Sequence, residues 1–366
     1  MLLLWFRHLN RDRFDLTLAC PPGTWLAKEA TALGVRVVTV PLVRELRPLV
    51  DLRGLLRLLL VMRRDRYAIV HSHSAKAGAL GRMAAFLAGV PISVYTPHAF
   101  SYLSQQGLAR RFFLAVERAL RRFTSTVIAV SESERRRAVE EVGFVASRVV
   151  TIPNSVDRDE AAAATSVADP AAKTVLTAGR LTYQKNPEMF VRMAKLVISR
   201  VPHARFVMLG AGFNSPEEPA IRDLVRQGGL DGSVEILPWS NRQETLQRIA
   251  SCSVFVLTSR YEGMPYVALE AMMTGRPLVV TDVDGSRDLV ENGVNGFAVP
   301  LDDELAMADA VTALLEDREM ARGMGAHSLR LARDRYPISR SIAMLEALYE
   351  KLISGQVAPF AERASE

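Results

Sequence analysis

The chain has 366 residues, enough for two domains of about 150 residues each with some overhang. Hydrophobic residues make up 49% and charged residues 23%, the proportions of an ordinary globular protein, which excludes a disordered chain, a collagen-like fibre and a membrane bundle. The net charge of +6 is unevenly spread: residues 1–160 hold 24 Lys and Arg against 14 Asp and Glu, net +10, whereas residues 161–366 are net −4. Arg supplies 40 of the 46 basic residues. A basic half points to a polyanionic partner, either nucleic acid or an anionic membrane surface. Cys20 and Cys252 are far apart and lack metal-ligand spacing, so neither a disulfide scaffold nor a zinc site is expected, and a reducing cytoplasm fits. Arg7 and His8 cut short the apolar opening, and Arg53 and Arg57 interrupt the richest apolar segment, Leu49 to Met62, so neither an export signal nor a membrane span is expected.

Short apolar, β-branched runs alternate with helical segments along the chain, the rhythm of parallel α/β sheets. In the first half, strands are predicted at Phe14–Ala19, Val35–Val40, Ala68–His71, Ile92–Tyr95, Thr126–Val130 and Val149–Ile152. The Ala-, Asp- and Ser-rich stretch Arg158 to Lys173 has no clear periodicity and reads as a linker. The second half restarts with strands at Thr174–Ala178, Arg205–Leu209, Val234–Leu237, Val254–Leu257, Pro277–Thr281 and Phe297–Val299. The expected architecture is therefore two Rossmann-like domains, residues 1–160 and 161–337, with an active site in the cleft between them. A last helix, residues 338–356, carries the apolar face Ile342, Leu345, Leu348, Tyr349 and Leu352, suited to packing back on the first domain.

The most informative constellation is Ser259-Arg-Tyr-Glu-Gly-Met-Pro-Tyr-Val-Ala-Leu-Glu-Ala-Met272, directly after a strand. Pro265 suits the first position of a helix, and Gly263 lets a ligand approach the backbone. The helix N-terminus would then aim unsatisfied N–H groups at a phosphate or a sugar hydroxyl. Glu262 and Glu270 are eight residues apart, roughly two helical turns, so both can face the cleft. Upstream, Thr174 to Pro187 reads as a strand, a turn at Gly179, the cations Arg180 and Lys185, an Asn186 cap and a helix opened by Pro187. Arg180 offers paired donors and Lys185 a mobile point charge, which suits a diphosphate whose charge grows as its bond to a sugar breaks.

These segments resemble the family-4 retaining glycosyltransferases of the two-domain GT-B fold, and the resemblance is most specific from Gly179 to Gly296. It implies that Glu270 holds the nucleotide ribose, Glu262 the donor sugar hydroxyls, and Arg180 with Lys185 the diphosphate, while the backbone at Gly179, Gly263, Met264 and Pro265 approaches the donor. The family's later loop is matched by Thr281 to Gly296, with Asp284-Gly285 in place of Gly-Gly and Asp288 where Glu is common. Thr96-Pro97-His98-Ala99-Phe100 resembles the family's cleft histidine segment and would set His98 beside the transferred sugar. The implied donor is a UDP-linked sugar, handled without a metal ion; Asp282-Val283-Asp284 imitates a metal-binding motif that belongs to a different glycosyltransferase class. The implied acceptor is a glycan or a polyprenyl-diphosphate-linked glycan of surface polysaccharide synthesis. Closure of the two domains would exclude water and limit hydrolysis.

His71-Ser-His-Ser-Ala-Lys-Ala-Gly78 stands at a strand end and leads into a small-residue helix, Ala79 to Ala88. With no Cys or carboxylate nearby it is a poor metal site; similar segments in bacterial relatives that extend lipid-linked glycans would put Lys76 against an acceptor phosphate. Leu108, Phe112, Val116, Leu120 and Phe123 form an apolar stripe, with Arg110, Arg111, Arg118, Arg121 and Arg122 beside it. Either those arginines face anionic lipid at the inner membrane surface, or the segment is a core helix of an Arg-rich protein. Arg63-Arg64-Asp65-Arg66 and Arg135-Arg136-Arg137 would extend the same surface. Nucleic acid is disfavoured because no aromatic platform accompanies the charge. Relatives of this kind open on an apolar strand and a Gly-Gly turn ahead of the helix that Leu2 to Leu9 continues. The first domain is accordingly expected to lack its central first strand and glycine loop, to leave the strands near Phe14 and Ala68 with unpaired edges, and to express poorly without them. The alternatives to a transferase are a sugar-nucleotide epimerase and a non-catalytic sugar-nucleotide-binding protein. A dinucleotide oxidoreductase is disfavoured because Gly210-Ala-Gly212 lacks a third glycine.

Overall fold

The computed structural model describes residues 1–43, 45–157, 173–212 and 214–355. Residues 158–172, nearly all of the expected linker, lie outside the described residues. The chain divides into two compact units, one of Met1–Pro153 with the residues from Ile338 onward, the other of Asn154–Pro337.

In chain order the first unit contains α1 (Leu2–His8), β1 (Thr17–Cys20), α2 (Trp25–Ala32), β2 (Arg36–Thr39), α3 (Pro48–Asp65), β3 (Ile69–His73), α4 (Ala75–Ala88), β4 (Ile92–Thr96), α5 (Gly107–Leu120), β5 (Thr126–Ala129), α6 (Glu132–Arg137) and β6 (Val149–Thr151). Its strands form two parallel sheets, a four-stranded one ordered β3-β4-β5-β6 and a separate pair β1-β2. The expected break between the strands near Phe14 and Ala68 is thus present, and no described strand joins β1 to β3. Helix α1 spans the two sets: Leu2, Leu3 and Phe6 pack around Leu18 and Cys20, while the Trp5 ring lies 5.6 Å from that of His71.

Helix α4 begins at Ala75, four residues earlier than expected, and its glycines explain why. A Cβ on Gly78 would collide with the Tyr95 ring, and one on Gly81 with the Ser72 hydroxyl, so small residues let the helix lie directly on β3 and β4. The space beneath holds a buried ion pair, Arg82 to Glu117 at 2.9 Å, with Tyr95 donating to Glu117 at 3.1 Å and the guanidinium over the Tyr95 ring. Taking two charges out of water is tolerable only with this degree of partnering.

The second unit contains β7 (Thr174–Ala178), α7 (Pro187–Arg200), β8 (Arg205–Ala211), α8 (Glu218–Gln227), β9 (Val234–Pro238), α9 (Arg242–Ser251), β10 (Val254–Leu257), α10 (Tyr266–Met273), β11 (Leu278–Thr281), β12 (Gly296–Val299), α11 (Glu304–Glu316) and α12 (Arg318–Arg335). Its single parallel sheet runs β12-β11-β10-β7-β8-β9. The strand order reverses direction between β7 and β10, and ligands of doubly wound sheets bind beyond the strand ends at such a point. The loops after β7 and β10 are the two sequence segments singled out above. A last helix, α13 (Ile338–Ile353), belongs to the first unit: Tyr349 bonds His71, and the Ser341 hydroxyl donates to the Pro153 carbonyl at 3.0 Å.

Candidate functional site

In the second unit the chain leaves β7 at Gly179, whose N–H donates to Leu209 at 2.8 Å; a Cβ on Gly210 would overlap the Gly179 carbonyl, so the two backbones abut. Arg180 follows, half-buried, and a short turn carries the chain over Tyr183–Lys185 to Asn186. Asn186 occupies the N-cap of α7 in the left-handed region at φ 49°, but its side chain does not cap the helix as expected; the amide donates to Asp302 at 3.0 Å instead. Hydrogen bonds join this loop to the one after β10. The Arg260 N–H donates to Gln184, the Gln184 amide to the Tyr261 carbonyl, and the Thr258 hydroxyl to the Lys185 carbonyl. The Arg260 guanidinium also lies over the Tyr183 ring at 4.4 Å.

Between the loops, the Lys185 ammonium contacts the Glu262 carboxylate at 2.6 Å, and the Ser259 hydroxyl donates to the same oxygen at 2.7 Å. Glu262 is buried but lies in the loop, so its eight-residue separation from Glu270 is not two turns of one helix as the spacing suggested. Helix α10 starts at Tyr266, with Pro265 at its N-cap rather than inside it, because Pro265 has an extended ψ of 119°. The first amides of α10 have no carbonyl four residues behind them to bond. Glu270, buried on α10, pairs with Arg242 of α9 at 2.6 Å. Burial first, and Glu270 second, raise the pKa of the neighbouring Tyr266 phenol, whose oxygen has no hydrogen-bond partner. Gly263 and Met264 form the floor of the loop: the Met264 carbonyl accepts from the Asn154 amide at 2.7 Å, and Gly285, at φ 74°, lies so close that a Cβ there would overlap the Gly263 carbonyl.

The first unit holds a separate cluster at the ends of β3 and β4. The His71 and His73 rings are 4.1 Å apart, and His73 Nδ1 lies 3.3 Å from His98 Nε2. His71 is held between the Tyr349 hydroxyl at 2.7 Å and the Thr96 hydroxyl at 2.8 Å. Burial depresses all three, His98 to about 4, His71 to about 3 and His73 well below its ordinary value, so the cluster is neutral at pH 7. His98 and Ala99 both adopt positive φ, at 54° and 73°, and the Ala99 N–H donates to Glu134 at 2.7 Å. Lys76 is bound to Asp51 at 2.5 Å and to the Glu45 carbonyl. Among the described residues, no group of three or more His, Cys, Asp and Glu is arranged to hold a metal ion.

Of the residues singled out in sequence, Lys185 and Glu262 are brought into contact, Gly179 and Arg180 stand on the same loop as Lys185, and Gly263, Met264 and Pro265 lead into the helix that carries Glu270. His98 lies in the other unit. Sequence reasoning missed Arg242, whose pairing with Glu270 no local spacing signals, and gave no role to Ser259, Gln184 or Tyr349, which it quoted only as members of a motif or an apolar face.

Residues 2–160 match the family described as Glycosyltransferase Family 4, and residues 172–317 match Glycosyl transferases group 1. The chain is 30% identical over 330 residues to UDP-Gal:alpha-D-GlcNAc-diphosphoundecaprenol alpha-1,3-galactosyltransferase of Escherichia coli, covering 86% of this chain and 83% of that protein. It is 22% identical over 334 residues to the capsular polysaccharide biosynthesis glycosyltransferase CapM of Staphylococcus aureus, covering 86% and 84%. Among solved structures it is similar to HepE of Anabaena in complex with UDP-glucose, with a TM-score of 0.80 at 19% identity over 96% and 95% of the two chains. Sucrose-phosphate synthase of Thermosynechococcus elongatus gives a TM-score of 0.80 at 19% identity over 93% and 90%. At these identities the structural likeness establishes the fold, the α/β GT-B architecture with parallel sheets.

Proposed function

Because this chain belongs to the family-4 glycosyltransferases, we propose that it moves a hexose or N-acetylhexosamine from a UDP-linked donor to a glycan or polyprenyl-diphosphate-linked acceptor in surface polysaccharide synthesis, on the cytoplasmic side of an anionic membrane. The observation that carries the reading is the Lys185–Glu262 contact at the strand-order reversal of the second unit, beside the N-terminus of α10. A diphosphate bound there draws the Lys185 ammonium toward its departing charge, with Arg180 and the α10 amides as further donors. Glu262 is then released to accept from donor sugar hydroxyls. Glu270, with Arg242 as its neighbour, accepts from the ribose.

Transfer proceeds with retention: the acceptor hydroxyl attacks the anomeric carbon on the face the diphosphate leaves. The bond to the diphosphate oxygen breaks as the bond to the acceptor oxygen forms, and the hydroxyl proton passes to the departing diphosphate. Cations and helix amides carry the leaving-group charge, so no metal ion enters the scheme. His98 of the first unit is assigned to the transferred sugar. A screen of UDP-sugars with polyprenyl-diphosphate glycan acceptors, read by UDP release and by mass of the product, tests the reading. Glycosylated product is expected, with turnover about 10²-fold lower in Lys185→Ala. UDP binding without turnover, or UDP release with an epimerised free sugar, overturns it.

A further inference from the structure

Helix α3 is unusual among the described helices of the first unit. Its inner face is apolar, with Leu58, Val61 and Met62 packed against Val38, Val40, Ala84 and Ala85. Its outer face is apolar too. Leu49, Leu52, Leu56 and Leu60 are 76%, 52%, 48% and 62% exposed and stand at the three- and four-residue intervals of one helical stripe. Beside them on the same side are Arg53, Arg57, Arg63 and Arg64, all exposed. The two acidic residues of α3 leave Arg53 and Arg57 without a counter-charge: Asp51 is bound to Lys76, and Asp65 to Arg36 and to Arg64, the one arginine of the four that it offsets. Arg53 and Arg57 make no hydrogen bond or ion pair with any described residue.

Four exposed leucines in a row lose free energy to water that a soluble neighbour could remove, and the arginines restrict which neighbour. A second copy of the same face would set arginine against arginine, a repulsive arrangement. A bilayer of anionic lipid satisfies both sets of groups: the leucines enter the boundary between headgroups and acyl chains, and the arginines extend along the surface to lipid phosphates. The 18 residues of α3 would lie flat over about 27 Å.

We propose that the outer face of α3 docks the enzyme on an anionic lipid surface. This rests on the reading above for the purpose of docking, since it supplies the route to a lipid-linked acceptor, but the contact needs no turnover. The face is centred on α3 and not on the α5 stripe weighed in sequence, although it takes in Arg63 and Arg64, which were expected to extend that surface. On α5, Leu108 and Phe112 are exposed as expected, but Leu120 is buried, and Arg110, Arg118 and Arg121 are drawn to Glu141 and to the Glu141 and Gly143 carbonyls, which places a carboxylate among them.

The test is co-sedimentation of the whole protein with vesicles of phosphatidylcholine containing about one third phosphatidylglycerol, and with phosphatidylcholine alone. UDP release with a detergent-dispersed acceptor is measured in parallel, so that loss of docking and loss of catalysis are read separately. Wild-type protein should sediment with the anionic vesicles and not with the neutral ones. Arg53→Ser with Arg57→Ser, and Leu52→Ser with Leu56→Ser and Leu60→Ser, should each lower the bound fraction about tenfold or more while leaving turnover in detergent unchanged. Leu108→Ser with Phe112→Ser should bind as wild type. Sedimentation unaffected by either α3 variant overturns the proposal, as does a dimer in light scattering that the leucine variant dissolves.

Discussion

Lys185 and Glu262 are 77 residues apart in the chain and 2.6 Å apart in the second unit. Each belongs to a motif that residue type alone made conspicuous, a cation after a glycine turn and a carboxylate before a helix, yet only the fold pairs them. Gly78 shows the converse: it sits in a segment that reads as chemistry, but its missing Cβ serves to seat the Tyr95 ring over the Arg82–Glu117 pair. The histidines are where residue-scale physics makes a measurable difference. His98 titrates near 4 and His71 near 3 in the folded protein because burial penalises their charged forms, against about 6.5 in an unfolded chain. Between those values the unfolded chain takes up protons that the folded one refuses, so stability is complete above about pH 6.5 and falls as pH drops toward 4, by up to about 1.4 kcal/mol per unit for each histidine. Urea unfolding at pH 7.5 and 5.5 should show a lower midpoint at the acid value, and His98→Gln should reduce the difference. A midpoint independent of pH over this range would exclude a neutral, buried cluster.

At the scale of elements, each of the twelve strands expected from sequence has a counterpart in the fold, because buried parallel strands read as short continuous apolar runs. Their ends moved by a residue or a few: β3 continues through His73 because its pairing with β4 extends to Thr96, and β8 continues to Ala211 past a register shift against β9. Helix starts were less legible. The small residues that let α4 begin at Ala75 signal flexibility in isolation, and Pro265 sits before α10 rather than in it. The contacts that complete the site come from Arg242 and Ser259, which no periodicity marks; Arg242 is on α9, a different helix from its partner Glu270. The loop carrying Gly285 acts as a support for the loop carrying Gly263. Gly285→Ala would place a Cβ against the Gly263 carbonyl at a left-handed position, at a cost of about 1–3 kcal/mol, and would displace the segment that leads into α10. The expected result is a lowered Tm together with weaker UDP binding by calorimetry; unchanged UDP affinity would show that the Gly263–Met264 backbone does not contact the nucleotide.

For the whole molecule, part of the charge imbalance seen in the sequence lies on the outer face of α3, where Arg53 and Arg57 have no counter-charge among the described residues. The two units also differ in how their interiors are joined. The second has one six-stranded sheet with a large continuous apolar cluster from Val175 to Met324. In the first, the residues around Leu18, those around Val38 and those around Tyr95 form separate clusters, and the β1-β2 pair stands apart from the four-stranded sheet. A two-stranded sheet is marginal without further partners. Its amides are therefore gated by a smaller cooperative opening than the rest of the molecule. In deuterium exchange followed by mass spectrometry, peptides spanning β1 and β2 should label orders of magnitude faster than those covering β4 or β7, and at a rate insensitive to denaturant while the others respond to it. Labelling of the β1–β2 peptides and the β4 peptides at one rate would mean that the first unit unfolds as a single block. Otherwise the segment from α1 to β2 is a foldon of its own, able to open and close while the remaining sheets stay shut.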